Sequence, residues 1–266
     1  MAFSQLFPFV SLVLGLIMPL SASSSPETYR QYCPEPYYDY SDGPFGPANW
    51  GNLHPSWRLC GDGNSQSPVA INESEAFLNA SSVLETFYHS AIVERHDDHA
   101  VEIVRRCGGG ALYWNSEGPY YVLNMHWHTP SEHTINGVRF PLEGHIVHVG
   151  PNGEILVIGI LYEIGTKDNL LASILNWTCP FGVITLKNVT SSYYNYMGSL
   201  TTPPCTEGLT WIVLEKTNTV SQEQVDSIIS YQGYNSRPLQ PLNGRIIYKV
   251  EDDIYIKSKD TFVDVE

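Results

Sequence analysis

Positive charge is scarce in this sequence. Its 266 residues hold 14 Lys and Arg against 28 Asp and Glu, a formal net charge of −14. Such a surface repels phosphates, which excludes nucleic acid as a partner and favours small or cationic ones. Beyond Leu20 there is no apolar run long enough to span a bilayer, and the acidic end DTFVDVE is no anchor signal. Internal repeats, low-complexity tracts and interdomain linkers are missing, so one sheet-rich domain is the simplest reading. Helical periodicity is scarce as well. The five cysteines, Cys33, Cys60, Cys107, Cys179 and Cys205, are too widely spaced for a cysteine zinc knuckle. Their odd number leaves at least one thiol free or paired with another chain.

What is present begins with a processing signal. Leu6–Leu20 is apolar and is followed by the small-residue run SASSS, although no Lys or Arg precedes it. This reads as a secretory signal over residues 1–23, followed by an irregular Tyr/Pro/Gly-rich segment over 24–49 and a domain over 50–266. Four glycosylation sequons, at Asn72, Asn79, Asn176 and Asn188, agree with secretion. An oxidising compartment predicts at least one bridged cysteine pair. The destination is the cell exterior (for a plant chain, the apoplast), with a plastid reached by the secretory route left open.

Short β-like runs rich in Val, Ile, Tyr and Trp alternate with turns. They are expected at Ala100–Val104, Leu112–Asn115, Tyr120–His128, His145–Val149, Ile155–Gly165, Leu209–Thr217 and Arg245–Val250. The best helix is Ser221–Ser230, with Ser221 as cap and Gln224 completing a capping box.

The stretch NMHWHTPSEH carries the chemistry. Strand residues two apart share a face, so His126 and His128 point together and Trp127 points away. Asn136-Gly137 is a two-residue hairpin signal, and folding back there can bring His145 beside the first pair. A His-x-His pair alone is ordinary on a surface or in a core. A third imidazole, with Glu143 two residues before it, makes a three-ligand zinc site with one position left for water.

The motifs MHWHTPSEHTING, EGHIVHV, GSLTTPPCTEGLTWIVL and NSRPLQPLNGR, in this order, resemble the α-type carbonic anhydrases, especially plant members. NWGNLHPSWRLCGDGNSQSPVAI resembles the family's N-terminal region, so the likeness runs over roughly Trp50 to Val250. It implies an α+β, mainly β fold: a single domain around a large, mostly antiparallel twisted sheet with few peripheral helices. It implies zinc as cofactor and reversible hydration of carbon dioxide to bicarbonate and a proton. By position, the ligands are His126, His128 and His145, with Glu143 orienting the third. Thr201 is the threonine that aims the nucleophile, and Glu132 accepts its proton. His99 is the proton shuttle. Val147, Val157, Leu200, Leu209, Trp211 and Thr202 line the substrate pocket, and Cys60–Cys205 is the disulfide. The rival reading is a secreted storage or defence protein that keeps this fold with weak or no activity.

Several positions depart from the family pattern. Asn124 replaces a glutamine and is expected to fall short of the His126 ring. Gly144 replaces a larger apolar residue and is expected to loosen its strand. Asn52 stands where many members carry a tyrosine, and Asp97 and Glu102 make the mouth more acidic. His133 has no metal role in this reading.

Overall fold

The alternation in YYVLNMHWH does form a strand, and a large sheet is built around it. The computed structural model describes residues 36–97, 99–189 and 192–251. The expected signal 1–23, Cys33, Asp98, Thr190 and the acidic end lie outside the described residues. Two short strands come first, β1 (Ala70–Ile71) and β2 (Phe77–Leu78). Long strands β3 (Leu84–Asp97), β4 (Val101–Trp114) and β5 (Glu117–His128) follow. After the small pair β6 (Thr134–Ile135) and β7 (Val138–Arg139) come β8 (Leu142–Val149), β9 (Ile155–Ile164) and β10 (Phe181–Thr185). The remaining strands are β11 (Tyr193–Ser199), β12 (Glu207–Leu214), β13 (Asn218–Val220) and β14 (Tyr248–Val250).

The main sheet runs β10-β3-β4-β5-β8-β9-β12-β11-β14-β2, with β13 added beside β9. Antiparallel pairings prevail, and β9–β12, β9–β13 and β14–β2 are parallel. The sheet is therefore large and mixed, with few helices.

Two regions differ from expectation. The runs Ala100–Val104 and Leu112–Asn115 belong to one strand, β4, joined through Gly108–Gly110. All three glycines have positive φ, and a Cβ on Gly110 would stand 2.1 Å from the Phe87 carbonyl oxygen. Only glycine allows the β3 backbone to come that close. Strand β3 escapes the sequence pattern because the register break between Tyr88 and Ala91 inserts an extra residue and interrupts its alternation. The expected strand Arg245–Val250 shrinks to β14 because Arg245 turns inward. Its guanidinium donates to the carbonyls of Gln66, Pro241 and Leu242.

Asn136-Gly137 makes the expected turn, with φ of 50° and 77°, between β6 and β7. The helix Gln222–Gln232 carries the Ser221/Gln224 capping box. A further helix at Asn169–Leu175 is capped by Asp168, whose side chain accepts the Leu171 N–H at 2.7 Å.

Each sheet face packs its own core. One contains Met125, Trp127, Ile146 and Ile160 with helix residues Leu171, Val225 and Ile228. The other contains Val147, Val157, Leu209 and Trp211. A third, smaller cluster gathers Trp50 and Trp57 around Cys60 and Cys205, which are bridged.

Candidate metal centre

The site is assembled by the β5–β8 register. His126 stands opposite His145, His128 opposite Glu143, and Asn124 opposite Val147. Opposed residues share a face, so three imidazoles converge. Their ring centroids lie 5.1 Å (His126–His128), 5.2 Å (His126–His145) and 4.6 Å (His128–His145) apart. His128 and His145 are buried, while His126 is half-buried on the open side.

Each ring has one nitrogen already engaged. His126 Nδ1 meets Asn124 Oδ1 at 3.1 Å, so the shorter amide does reach, contrary to expectation. His128 Nδ1 donates to the Asn235 carbonyl at 2.8 Å, and His145 Nε2 pairs with Glu143 Oε1 at 2.9 Å. The nitrogens left over are His126 Nε2, His128 Nε2 and His145 Nδ1. His128 Nε2 is sealed from solvent without a hydrogen-bond partner. Burial pushes all three imidazoles below their usual pKa, His126 the furthest, and so favours the neutral, lone-pair form. One ligand atom from each ring fits within a 4.8 Å cluster. Neutral nitrogen donors, an orphaned lone pair and pinned second nitrogens all suit zinc.

Glu143 fixes the proton order behind the site. Its Oε2 accepts the backbone N–H groups of Glu132 and His133, both at 2.8 Å. Its Oε1 faces His133 Nδ1 at 2.7 Å as well as His145. Burial alone would raise its proton affinity, but the facing histidines outweigh that and hold the carboxyl well below its usual range. An ionised carboxylate only accepts, so His133 Nδ1 and His145 Nε2 both carry hydrogen. His133 Nε2 is then left to accept from the Tyr196 hydroxyl at 2.7 Å. His133, given no metal role by the sequence, thus holds Glu143, which in turn holds His145. His133 Nδ1, Glu143 and His145 Nε2 also form a tight acid–imidazole group, but those atoms are already bonded to one another.

Glu132 is fully buried. Its Oε1 accepts the Arg237 N–H at 2.9 Å, while Oε2 has no hydrogen-bond partner. Burial pushes its carboxyl up to about 7, against the pull of His145, the nearby Thr201 hydroxyl and the Arg237 N–H. Thr201 is buried in the loop after β11, and that loop is tied by Cys60–Cys205. Asn52 is exposed in the short helix Trp50–Leu53. The tyrosine close to Glu132 is instead Tyr40, whose hydroxyl is buried beside Tyr38.

The apolar pocket residues share the face of the histidines. Asn124, Val147, Val157 and Trp211 form one cross-strand row, adjacent to the row of His126 and His145. Leu209 and the half-buried Leu200 pack with them, and Thr202 is half-buried beside Thr201. The Trp211 ring lies 4.8 Å from that of His145. Gly144 does not loosen β8, because the indole of Trp127, opposite in register, fills the space; a Cβ there would stand 3.0 Å from Trp127 Nε1.

His99 is exposed, its ring stacked on Tyr38 at 4.0 Å. Its carbonyl accepts from Asn235 Nδ2 at 3.1 Å, so one buried amide residue links the His99 turn to His128. Asn235 lies in the NSRPLQPLNGR motif, but no residue-type signal marked it. Asp97, at the mouth, is partly neutralised by Arg95 at 2.8 Å. Asn72, Asn176 and Asn188 are exposed and Asn79 is half-buried. Cys107 and Cys179 are exposed free thiols.

A family model described as eukaryotic-type carbonic anhydrase matches residues 45–251. The chain is 35% identical over 260 residues to alpha carbonic anhydrase 7 of Arabidopsis thaliana, covering 90% of this chain and 94% of that protein. The crystal structure of a dioscorin complexed with ascorbate superposes with a TM-score of 0.72 at 34% identity, over 81% of this chain and 98% of that one. An alpha carbonic anhydrase from Thermovibrio ammonificans, in complex with the inhibitor sulfanilamide, gives a TM-score of 0.69 at 31% identity, over 80% and 99%.

Proposed function

The chain belongs to the eukaryotic-type carbonic anhydrase family and is a carbonic anhydrase by class, and on that premise we propose that it is a secreted, glycosylated zinc enzyme that interconverts carbon dioxide and bicarbonate. The observation carrying the metal assignment is the trio of neutral imidazoles whose free nitrogens converge while their other nitrogens are pinned. His126 Nε2, His128 Nε2 and His145 Nδ1 would hold the ion. The chemistry such an ion would supply, held by three neutral ligands, is the acidification of water at neutral pH.

The chain's own groups do the rest. Glu132, which a bound dication would help keep ionised, would accept a hydrogen bond from the Thr201 hydroxyl. The Thr201 oxygen is then free only to accept, which aims a nucleophile lone pair toward the substrate. Val147, Val157, Leu200, Leu209 and Trp211 offer carbon dioxide an apolar waiting place, with Thr202 at its edge. His99 relays the released proton to solvent. The apolar leader, the four sequons and the bridged cysteines support export to the cell exterior.

The test is bound zinc together with rapid, sulfonamide-sensitive hydration of carbon dioxide. One equivalent of zinc with no hydration above buffer would favour the storage reading. His99→Ala is expected to slow turnover in weak buffer, with recovery on adding imidazole; failure to recover counts against the shuttle.

A further inference from the structure

On the sheet face away from the histidines lies a cavity of about 750 Å³. Met125, Ile146, Ile160 and Leu214 are its buried floor, with Ile184 and Leu186 as a wall from β10 and the residues after it. Met125 sits between Asn124 and His126, and Ile146 follows His145, so the same strands carry the metal centre on one face and the cavity on the other. Lys167, Lys187 and Lys216 line it, and all three are exposed. No ion pair involves any of them among the described residues. Of the lining residues only Asp168 is acidic, and its carboxylate caps the helix Asn169–Leu175.

The charge is distributed against the trend of the chain. Acidic residues outnumber basic ones two to one overall, 28 to 14, yet lysines prevail at this cavity. A pocket of this volume with an apolar floor and polar and charged groups around it has the form of a small-molecule site. We propose that it binds an anionic amphiphile: an apolar body against the Met125–Ile146–Ile160 floor and a carboxylate or sulfonate among the three lysines. The ligand's charge is opposite to that of the lysines and like the net charge of the chain, so this cavity attracts the anion where the acidic surface repels it.

The test titrates octanoate into the full chain from a secretory host, so that any sugar on Asn188 at the rim is in place. Binding is followed by calorimetry and by methyl NMR. One equivalent is expected to bind, with shifts centred on Met125 and Ile146 and the same affinity with or without zinc. The Lys167→Gln/Lys187→Gln/Lys216→Gln variant is expected to bind about tenfold more weakly, as the loss of three partly exposed ion pairs would give. Octyltrimethylammonium is expected not to bind. The proposal is overturned by no octanoate binding at millimolar concentration, by equal binding of the cationic probe, or by an unchanged affinity in the lysine variant. Binding that appears only after removal of residues 252–266 would assign the cavity to the chain's own C-terminal segment and would also refute it.

Discussion

His148 offers a sharp test of how burial controls a titratable group in this protein. Its side chain is fully buried, with Nε2 at 2.8 Å from the Tyr88 hydroxyl and Nδ1 at 3.2 Å from the Leu156 carbonyl. Burial pushes the imidazole down to about 3. The unfolded chain takes a proton near 6.5, whereas the folded chain resists until far lower pH. The folded pKa is depressed, so this stability is fully present above about 6.5 and is lost as pH falls toward 3. Between pH 7.5 and 5 the loss is about 2 kcal/mol. That corresponds to roughly 4–8 °C in Tm for a domain of this size. The measurement is urea unfolding of the zinc-free protein and of His148→Gln at several pH values in that range. Contributions from the ligand histidines and from Glu132 cancel in the difference, and any packing cost of glutamine is constant with pH. The wild type is expected to lose about 2 kcal/mol more than the variant over the range. Parallel stability profiles would refute the reasoning.

Other substitutions probe the site. Asn124→Ala removes the acceptor from the His126 ring and is expected to weaken zinc 10–100-fold by competition with a chelator; unchanged affinity would remove Asn124 from the site. Thr201→Ala is expected to keep its zinc and lose about 100-fold in hydration rate, on the scale of one lost orienting group, so a near-normal rate would contradict the aiming role. Gly144→Leu drives a side chain into Trp127 and is expected to cost about 1–3 kcal/mol in denaturant melts; Trp127→Ala in the same chain should recover part of it. Cys60→Ser is expected to cost about 2–4 kcal/mol, and a smaller loss would mean that the other contacts hold the Thr201 loop.

The converging histidines were legible because strand alternation and a two-residue turn are local: His126, His128 and Asn136-Gly137 announce themselves within a dozen residues. The placement of His145 opposite His126 is a matter of register, and the sequence only allowed it. The supporting groups were harder to read. Asn235 reaches His128 through its backbone carbonyl, which no side-chain pattern encodes. His133 and Tyr196 lie 63 residues apart and meet only in the folded core. Asn124 and Gly144 looked deficient when compared position by position. Each is compensated in space, Asn124 by lying on the same strand face as its ring and Gly144 by the Trp127 indole across the ladder. Strand β3 went unseen because the break in its alternation is set opposite the Gly108–Gly110 run of its neighbour.

The opposition of His126 and His145 would also make a bound ion a judge of folding. Sliding β8 by one residue along β5 would turn His145 to the opposite face and bring Gly144 or Ile146 opposite His126. A mispaired sheet could retain many of its backbone hydrogen bonds, yet it would have no trio of nitrogens to offer. Zinc lowers the free energy only of states that bind it, by an amount that grows with its concentration. If the proposed zinc is bound as the chain folds, its supply would select one strand pairing over its near neighbours, and the metal would proofread the register before taking part in any chemistry.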